Sequence, residues 1–407
     1  MIKVAVTGAT GFIGSHILKK LNELPIELIA ITRLASSDLP SLNNGTWIEM
    51  DIEDPPHQAF SYLGKPDVLL HLAWKGLPNY NSLHHLQSEL PIQYNFLNNL
   101  ICQGLTSIVV TGTCFEYGMQ SGCLSEDLET KPSNPYAIAK DSLRQRLETL
   151  KKQYDFNLTW ARLFYIYGDG QSEESIYSQL KKSIQNSEKI FNMSEGEQLR
   201  DFLSIEKVSQ HLINLANLNK NIGIVNVCSG KPISVHKLVK SWLEENNWSI
   251  ELNLGYYPYP NYEPMDFWGS NKYLLSLNNY NSMIEFILNN DLNQSDLYNQ
   301  LNNWMNIDSF IDHLIMTAYC ANTSWGHNRE WWRSNNYQNG KWQWLIVDVD
   351  RGFNLSNSNT NLLDNLIEDY ELFQYLLDSE IFINLKLLSS LFLSLNNSVQ
   401  SNECLYC

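Results

Sequence analysis

Three observations predict an α/β fold: a doubly wound parallel sheet followed by a mainly helical appendage. First, the apolar run Val4-Ala5-Val6 feeds three glycines spaced three apart, Gly8, Gly11 and Gly14. Second, short apolar runs alternate with amphipathic stretches as far as Ser107–Thr111, the pattern of strands joined by right-handed helical crossovers. Third, the character changes near residue 270, where Asn, Leu and Ser become frequent and Gly and Pro rare.

Composition sets outer bounds. A chain of 407 residues, 43% hydrophobic, holds two or three domains with a sizeable core. No apolar run reaches the length of a membrane span, and Lys3 inside a strand-like start argues against a secretory signal. The net charge of -16 argues against a nucleic-acid partner, although a local basic site is enough for an anionic small molecule. Seven cysteines, an odd count, fit reduced thiols in a cytoplasmic protein better than a disulfide framework.

The elements follow in order. After the first strand, Gly8 lets the chain turn sharply, Gly11 lets the backbone approach a pyrophosphate, and Gly14 lets helix pack on strand. Thr10, Phe12 and Ile13 belong to the same dinucleotide loop, and Phe12–Leu24 reads as an amphipathic helix. Glu27–Thr32 is the second strand. An acid at its end would bind the 2′-hydroxyl of NAD. The chain has Thr32-Arg33 instead, a neutral residue and a cation suited to the 2′-phosphate of NADP. Trp47–Met50 is the third strand, and Asp51 and Ile52 after it are neighbours for adenine. Asp67–His71 is the fourth, with Leu72 and small Ala73 passing beside the cofactor; His71 reads as structural. A helical stretch, Ser82–Gly104, leads to the fifth strand at Ser107–Thr111.

The next group carries chemistry. Asn134-Pro135 is a helix start, which places Tyr136 and Lys140 four apart on one helical face. An ammonium beside a phenol favours the phenolate, so Lys140 is expected to lower the Tyr136 pKa and make it an acid–base group. Thr113, at a strand end, can hydrogen-bond the same substrate oxygen.

On Thr7–Gly14, His71-Leu-Ala, Thr113, Tyr136xxxLys140 and Arg162-Leu-Phe-Tyr-Ile-Tyr-Gly168, the chain resembles the extended short-chain dehydrogenase/reductase superfamily. Within it the resemblance is to the NAD-dependent epimerases, dehydratases and reductases of nucleotide sugars. It implies a Rossmann-type domain over residues 1–275, with a substrate lobe mainly at 168–275. It implies a catalytic set of Thr113, Tyr136 and Lys140, with Lys140 also gripping the nicotinamide ribose. It places Trp74, Cys114, Glu116 and Arg200 against the sugar nucleotide. By analogy with the family, a homodimer would form through its long helices. Dehydratases of the family carry Asp-Glu directly after the Thr. Here Cys114 and Phe115 stand there, so water elimination is disfavoured. Gly112–Gly118 and Tyr257–Gly269 resemble the branch that reduces or oxidises dTDP-4-keto-6-deoxysugars; an epimerase would use the same residues.

Beyond residue 280 the chain resembles the C-terminal lobe of the CotH spore-coat kinases, on Asn322, Asn328 and Asp348xAsp350. The two carboxylates fall on one face of a strand at period two, a hard-oxygen pair suited to Mg²⁺. The resemblance assigns metal binding to Asn328 and Asp350 in a kinase-like region, 280–407. Ser324 stands where family members often have Asp, and no glycine-rich, lysine-bearing lobe precedes. Phosphoryl transfer is therefore not expected. The rival readings are a phosphotransferase with a vestigial first domain and a non-catalytic dinucleotide sensor.

Overall fold

The computed structural model describes residues 2–33, 38–259 and 263–289, together with Leu297, Gln300, Leu301, Met305 and strand residues 329–332 and 343–346. Seven strands make one sheet: β1 (Lys3–Thr7), β2 (Glu27–Thr32), β3 (Gly45–Glu49), β4 (Val68–His71), β5 (Ser107–Thr113), β6 (Asn157–Leu163) and β7 (Gly223–Val227). Their order is β7-β6-β5-β4-β1-β2-β3, and every pairing is parallel. Helices cover both faces of such a sheet, so its inner strands are apolar throughout. All seven residues of β5 are buried. The strand order reverses between β1 and β4. A ligand crevice therefore opens outside the carboxyl ends of these two strands.

Local chemistry explains where the element bounds depart from expectation. The first helix is Phe12–Leu21 rather than Phe12–Leu24. Its end tightens into shorter turns, Glu23 N–H to Lys20 O and Leu24 N–H to Leu21 O, before Pro25, which an α-helix interior does not accept. The stretch expected as one helix over Ser82–Gly104 is a widened turn, His85–Glu89, followed by the α-helix Leu90–Cys102. Pro91 lacks the N–H that continuous α-helical bonding would need there. The third strand runs Gly45–Glu49 rather than Trp47–Met50. Gly45 pairs with Leu28, and a Cβ at Gly45 would lie 2.6 Å from the Leu28 carbonyl oxygen. β5 runs two residues beyond Thr111 and so carries Thr113 as its last residue.

The second lobe is built from small sheets. Tyr165–Tyr167, Leu199–Ser204 and Pro232–Ser234 form one of three strands. Its helices Ile176–Gln185, Ile205–Asn217 and Val235–Glu245 start on Ser175, Ser204 and Ser234, each side chain accepting a first-turn N–H. Leu180, Phe191, Leu238, Val239 and Trp242 form its core.

The chain divides into two units, Met1–Leu275 and Ser276–Cys407. In the second, Arg329–Trp332 pairs antiparallel with Gln343–Ile346. Asn322, Ser324, Asn328, Asp348 and Asp350 lie outside the described residues. Among the described residues no helix is long and apolar enough to cross a membrane.

Candidate active site

The glycine loop closes between β1 and the helix Phe12–Leu21. Gly8 has φ +65°, and a Cβ there would lie 2.9 Å from the Ala73 nitrogen. At Gly14 a Cβ would collide with the Gly8 carbonyl oxygen. The loop is cinched by Gly11 N–H to Gly8 O, 3.0 Å. Gly11 caps the helix with no side-chain bond, so the first-turn amides and the positive end of the helix dipole are left for an anion. These residues fit a dinucleotide pyrophosphate.

Thr7 fixes the strand beside it. Its hydroxyl accepts from Leu72 N–H (3.1 Å) and Ala73 N–H (3.3 Å) and donates to His71 Nδ1 (2.9 Å). His71 Nε2–H donates to Gln93 Oε1, 2.5 Å. That pairing sets the neutral tautomer, and burial pushes the His71 pKa down to about 3, with the Lys140 charge adding to the shift. His71 is thus a structural residue of the crevice.

The crevice has two connected parts that share Gly8, Gly11, Leu72 and Trp74. One, of about 240 Å³, is bordered by Thr10, Thr32, Arg33, Ile52 and Ala73. The other, of about 420 Å³, is bordered by Phe12, Ile13, Gly14, Thr113, Cys114, Tyr136 and Lys140. Taken together, the two parts have the volume of a small-molecule site. Asp51 is not among the bordering residues, and its Oδ1 accepts from Glu53 N–H at 3.0 Å, a turn-capping role.

Thr113, Tyr136 and Lys140 come together at the end of β5. Asn134 caps the Pro135–Leu150 helix through Ala137 N–H, 2.9 Å, and so fixes where Tyr136 begins the helix. Burial, with Tyr80, Glu116 and Cys114 adding to it, raises the Tyr136 phenol well above its ordinary value, and the Thr113 side chain offsets only part of that shift. The expected net lowering of Tyr136 is corrected here, because burial outweighs the attraction to Lys140. The Lys140 ammonium lies 5.9 Å from the Tyr136 ring centre and donates instead to the Thr111 carbonyl at 2.8 Å. Burial also brings Lys140 down to about 7.

Two residues expected at the substrate are engaged elsewhere. Glu116 is fully buried beneath the site. Its Oε1 accepts from Thr113 N–H (2.9 Å) and Trp160 Nε1–H (3.0 Å), and its Oε2 from Arg162 Nε–H (2.7 Å). Every strong acceptor direction is taken, so Glu116 supports Thr113 and does not face a substrate. Arg200 is 2% exposed. It donates to Glu263 Oε2 (2.9 Å) and to the Leu199 and Met265 carbonyls (2.9 and 3.0 Å), with Phe267 under its plane. Its charge is already matched by Glu263. Tyr80, Tyr165 and Gln171 also border the crevice, and sequence reasoning misses them. They come from loops and a short strand, which leave no periodic signal.

Comparison with known proteins agrees with this geometry. The model of the NAD dependent epimerase/dehydratase family matches residues 4–228. That of the CotH kinase protein matches 202–388. The dTDP-6-deoxy-L-talose 4-dehydrogenase (NAD(+)) of Aggregatibacter actinomycetemcomitans is 31% identical over 271 residues, covering 66% of this chain and 100% of that protein. The GDP-6-deoxy-D-talose 4-dehydrogenase of the same organism is 24% identical, covering 62% and 82%. The fold is shared with MoeE5 in complex with UDP-glucose and NAD, at TM-score 0.57 and 23% identity over 67% of this chain and 91% of that one. It is shared equally with a UDP-N-acetylglucosamine 4-epimerase from Methanobrevibacter ruminantium M1, at TM-score 0.58 and 24% identity over 68% and 92%. With its glycine loop, its Thr113–Tyr136–Lys140 cluster and more than half its length matched, the chain belongs to the NAD dependent epimerase/dehydratase family.

Proposed function

We propose that the chain reduces, and in reverse oxidises, a 4-keto group on a dTDP-linked 6-deoxysugar, using a nicotinamide dinucleotide. The observation that carries this reading is that Thr113, Tyr136 and Lys140 border the same part of the crevice as the glycine loop Gly8–Gly14. The likeness to dTDP-6-deoxy-L-talose 4-dehydrogenase supports the substrate class. Dehydration is disfavoured because Cys114 is a buried thiol whose pKa burial raises, and the Phe115 ring packs on Tyr80 and Tyr165. Neither can move a proton.

The nicotinamide, when bound, supplies or takes the hydride. Tyr136 is protonated near neutral pH and gives its proton to the carbonyl oxygen during reduction. Thr113, fixed from behind by Glu116, orients that oxygen. Lys140 supplies positive charge beside the developing phenolate. Oxidation is the reverse of this step and needs the phenolate, the minor form near neutral pH, to take the alcohol proton.

The direct test is full-length protein with dTDP-6-deoxy-L-talose and NAD⁺ or NADP⁺, followed by nicotinamide absorbance. Formation of reduced nicotinamide with a 4-keto sugar is the expected result. Interconversion of 4-epimers without net reduction would establish an epimerase, and no change in the sugar would sink the reading.

Cofactor preference rests on Arg33, an exposed cation on the border of the adenosine part. A solvent-exposed, charge-assisted contact to a 2′-phosphate should favour NADPH over NADH by about tenfold in Kd. Arg33→Ala should bring the two affinities together. Equal affinities in the parent protein would show that Arg33 does not meet the cofactor.

A further inference from the structure

We propose that Trp74 is a positioning residue for the reaction: its indole, held by His85, seats the Lys140 side chain beside Tyr136. The inference rests on the reading of Thr113, Tyr136 and Lys140 as the reacting set.

Lys140 is 3% exposed, yet among the described residues it takes part in no ion pair. Its two close partners are the Thr111 carbonyl and the face of Trp74, whose ring centre lies 4.0 Å from Nζ. An ammonium over an indole face is attracted by the ring quadrupole, most strongly when water is excluded. Trp offers the best such face among the aromatic side chains.

The indole is itself locked. Its Nε1–H donates to His85 Nδ1 at 3.1 Å, and His85 Nε2–H donates to the Asn79 carbonyl at 2.8 Å. The two bonds together specify one neutral tautomer and one ring orientation. His85 is fully buried, and the chain at Gly76, φ +90°, passes so close that a Cβ would lie 3.0 Å from His85 Cε1. Trp74 and His85 both meet the Tyr136 ring edge-on, at 5.9 and 5.3 Å between centres. One aromatic group therefore fixes the ammonium and the phenol together.

The sign of the pH effect follows. Burial lowers Lys140 to about 7, and the carboxylates that face it, Glu116 and Glu89, oppose that shift. The other titratable groups around it are Tyr136 on its own helix, His71 at the end of β4, and His85 behind the indole. Removing the indole face removes a contact that favours the charged form, so Lys140 loses its proton at lower pH. A reaction that needs the ammonium then fails earlier as pH rises.

The test compares Trp74→Phe, which keeps an aromatic face, with Trp74→Leu, which keeps apolar bulk alone. Trp74→Leu should lose about 10- to 30-fold in kcat, and the alkaline limb of its kcat profile should move down by about one pH unit. Trp74→Phe should lose no more than about threefold. Equal losses in the two variants would overturn the proposal. So would a loss confined to KM for the sugar with the limb unmoved, which would make Trp74 a simple substrate contact. A second readout needs no turnover. In protein reductively methylated with ¹³C, the Lys140 signal, assigned through Lys140→Arg, should titrate at lower pH in Trp74→Leu than in Trp74→Phe. Coincident titrations would overturn the inference. Failure of the parent to turn over dTDP-6-deoxy-L-talose would count against the substrate reading alone.

Discussion

Tyr136→Phe should lower kcat by about 10²–10⁴ while leaving dinucleotide affinity within about twofold of the parent. The substitution removes one oxygen and little else. The ring is packed by His85 (5.3 Å), Tyr80 (5.5 Å) and Trp74 (5.9 Å) between centres, and a phenylalanine keeps all three contacts. What disappears is the phenol proton, which in the proposed mechanism goes to the carbonyl oxygen. The loss should appear in both kcat and kcat/KM, because the interaction is made most strongly in the transition state. Steady-state rates, with dinucleotide binding followed by fluorescence, check both halves. Turnover within about threefold of the parent would remove Tyr136 from the mechanism.

Much of this site is legible in the sequence alone. Glycine spacing is a local signal: Gly8 and Gly14 occupy places where a Cβ would collide with backbone, so the requirement is written in residue type. The pairing of Tyr136 with Lys140 follows from helical period, and the Asn134 cap fixes where that period begins. Burial is not legible in the same way. A glutamate three residues past Thr113, a threonine at a strand end, looks like a substrate contact in one dimension. Only the sheet brings Trp160 and Arg162 of β6 beneath it and makes it a supporting residue. Arg200 misleads for the same reason, because Glu263, which neutralises it, lies 63 positions away. The direction of the Tyr136 shift is also out of reach. Sequence shows the neighbouring ammonium, whereas the larger opposing effect is the loss of water around a residue 7% exposed. The expected bounds of helices fail at prolines. Pro25 and Pro91 mark the two places where an apolar period runs on past the backbone hydrogen bonds that could support it.

Glu116→Ala should destabilise the first unit by about 3–5 kcal/mol, a large part of the ~5–15 kcal/mol that holds a domain together. Glu116 and Arg162 are 0% and 1% exposed and 2.7 Å apart. Burial pushes the Glu116 carboxyl up, and the Arg162 guanidinium, the Thr113 amide and the Trp160 indole pull it back. Removing the carboxylate leaves a buried cation, whose Nη1 already has no hydrogen-bond partner among the described residues, without its one ion-pair partner among them. It also strands the Thr113 and Trp160 N–H groups, each a further cost. Deleting the charge on both sides is a different matter, since two buried ions repay their desolvation poorly. The pair Glu116→Gln with Arg162→Met should therefore recover most of the loss in denaturant midpoint. It should still lower kcat, because the substituted amide holds the Thr113 N–H with a weaker, neutral acceptor. Urea unfolding of the full chain, read by dinucleotide-site fluorescence, measures the first effect, and turnover per bound dinucleotide measures the second. A cost below about 1 kcal/mol for Glu116→Ala would mean that water reaches Arg162 and that the ion pair does not support the Thr113 end of β5.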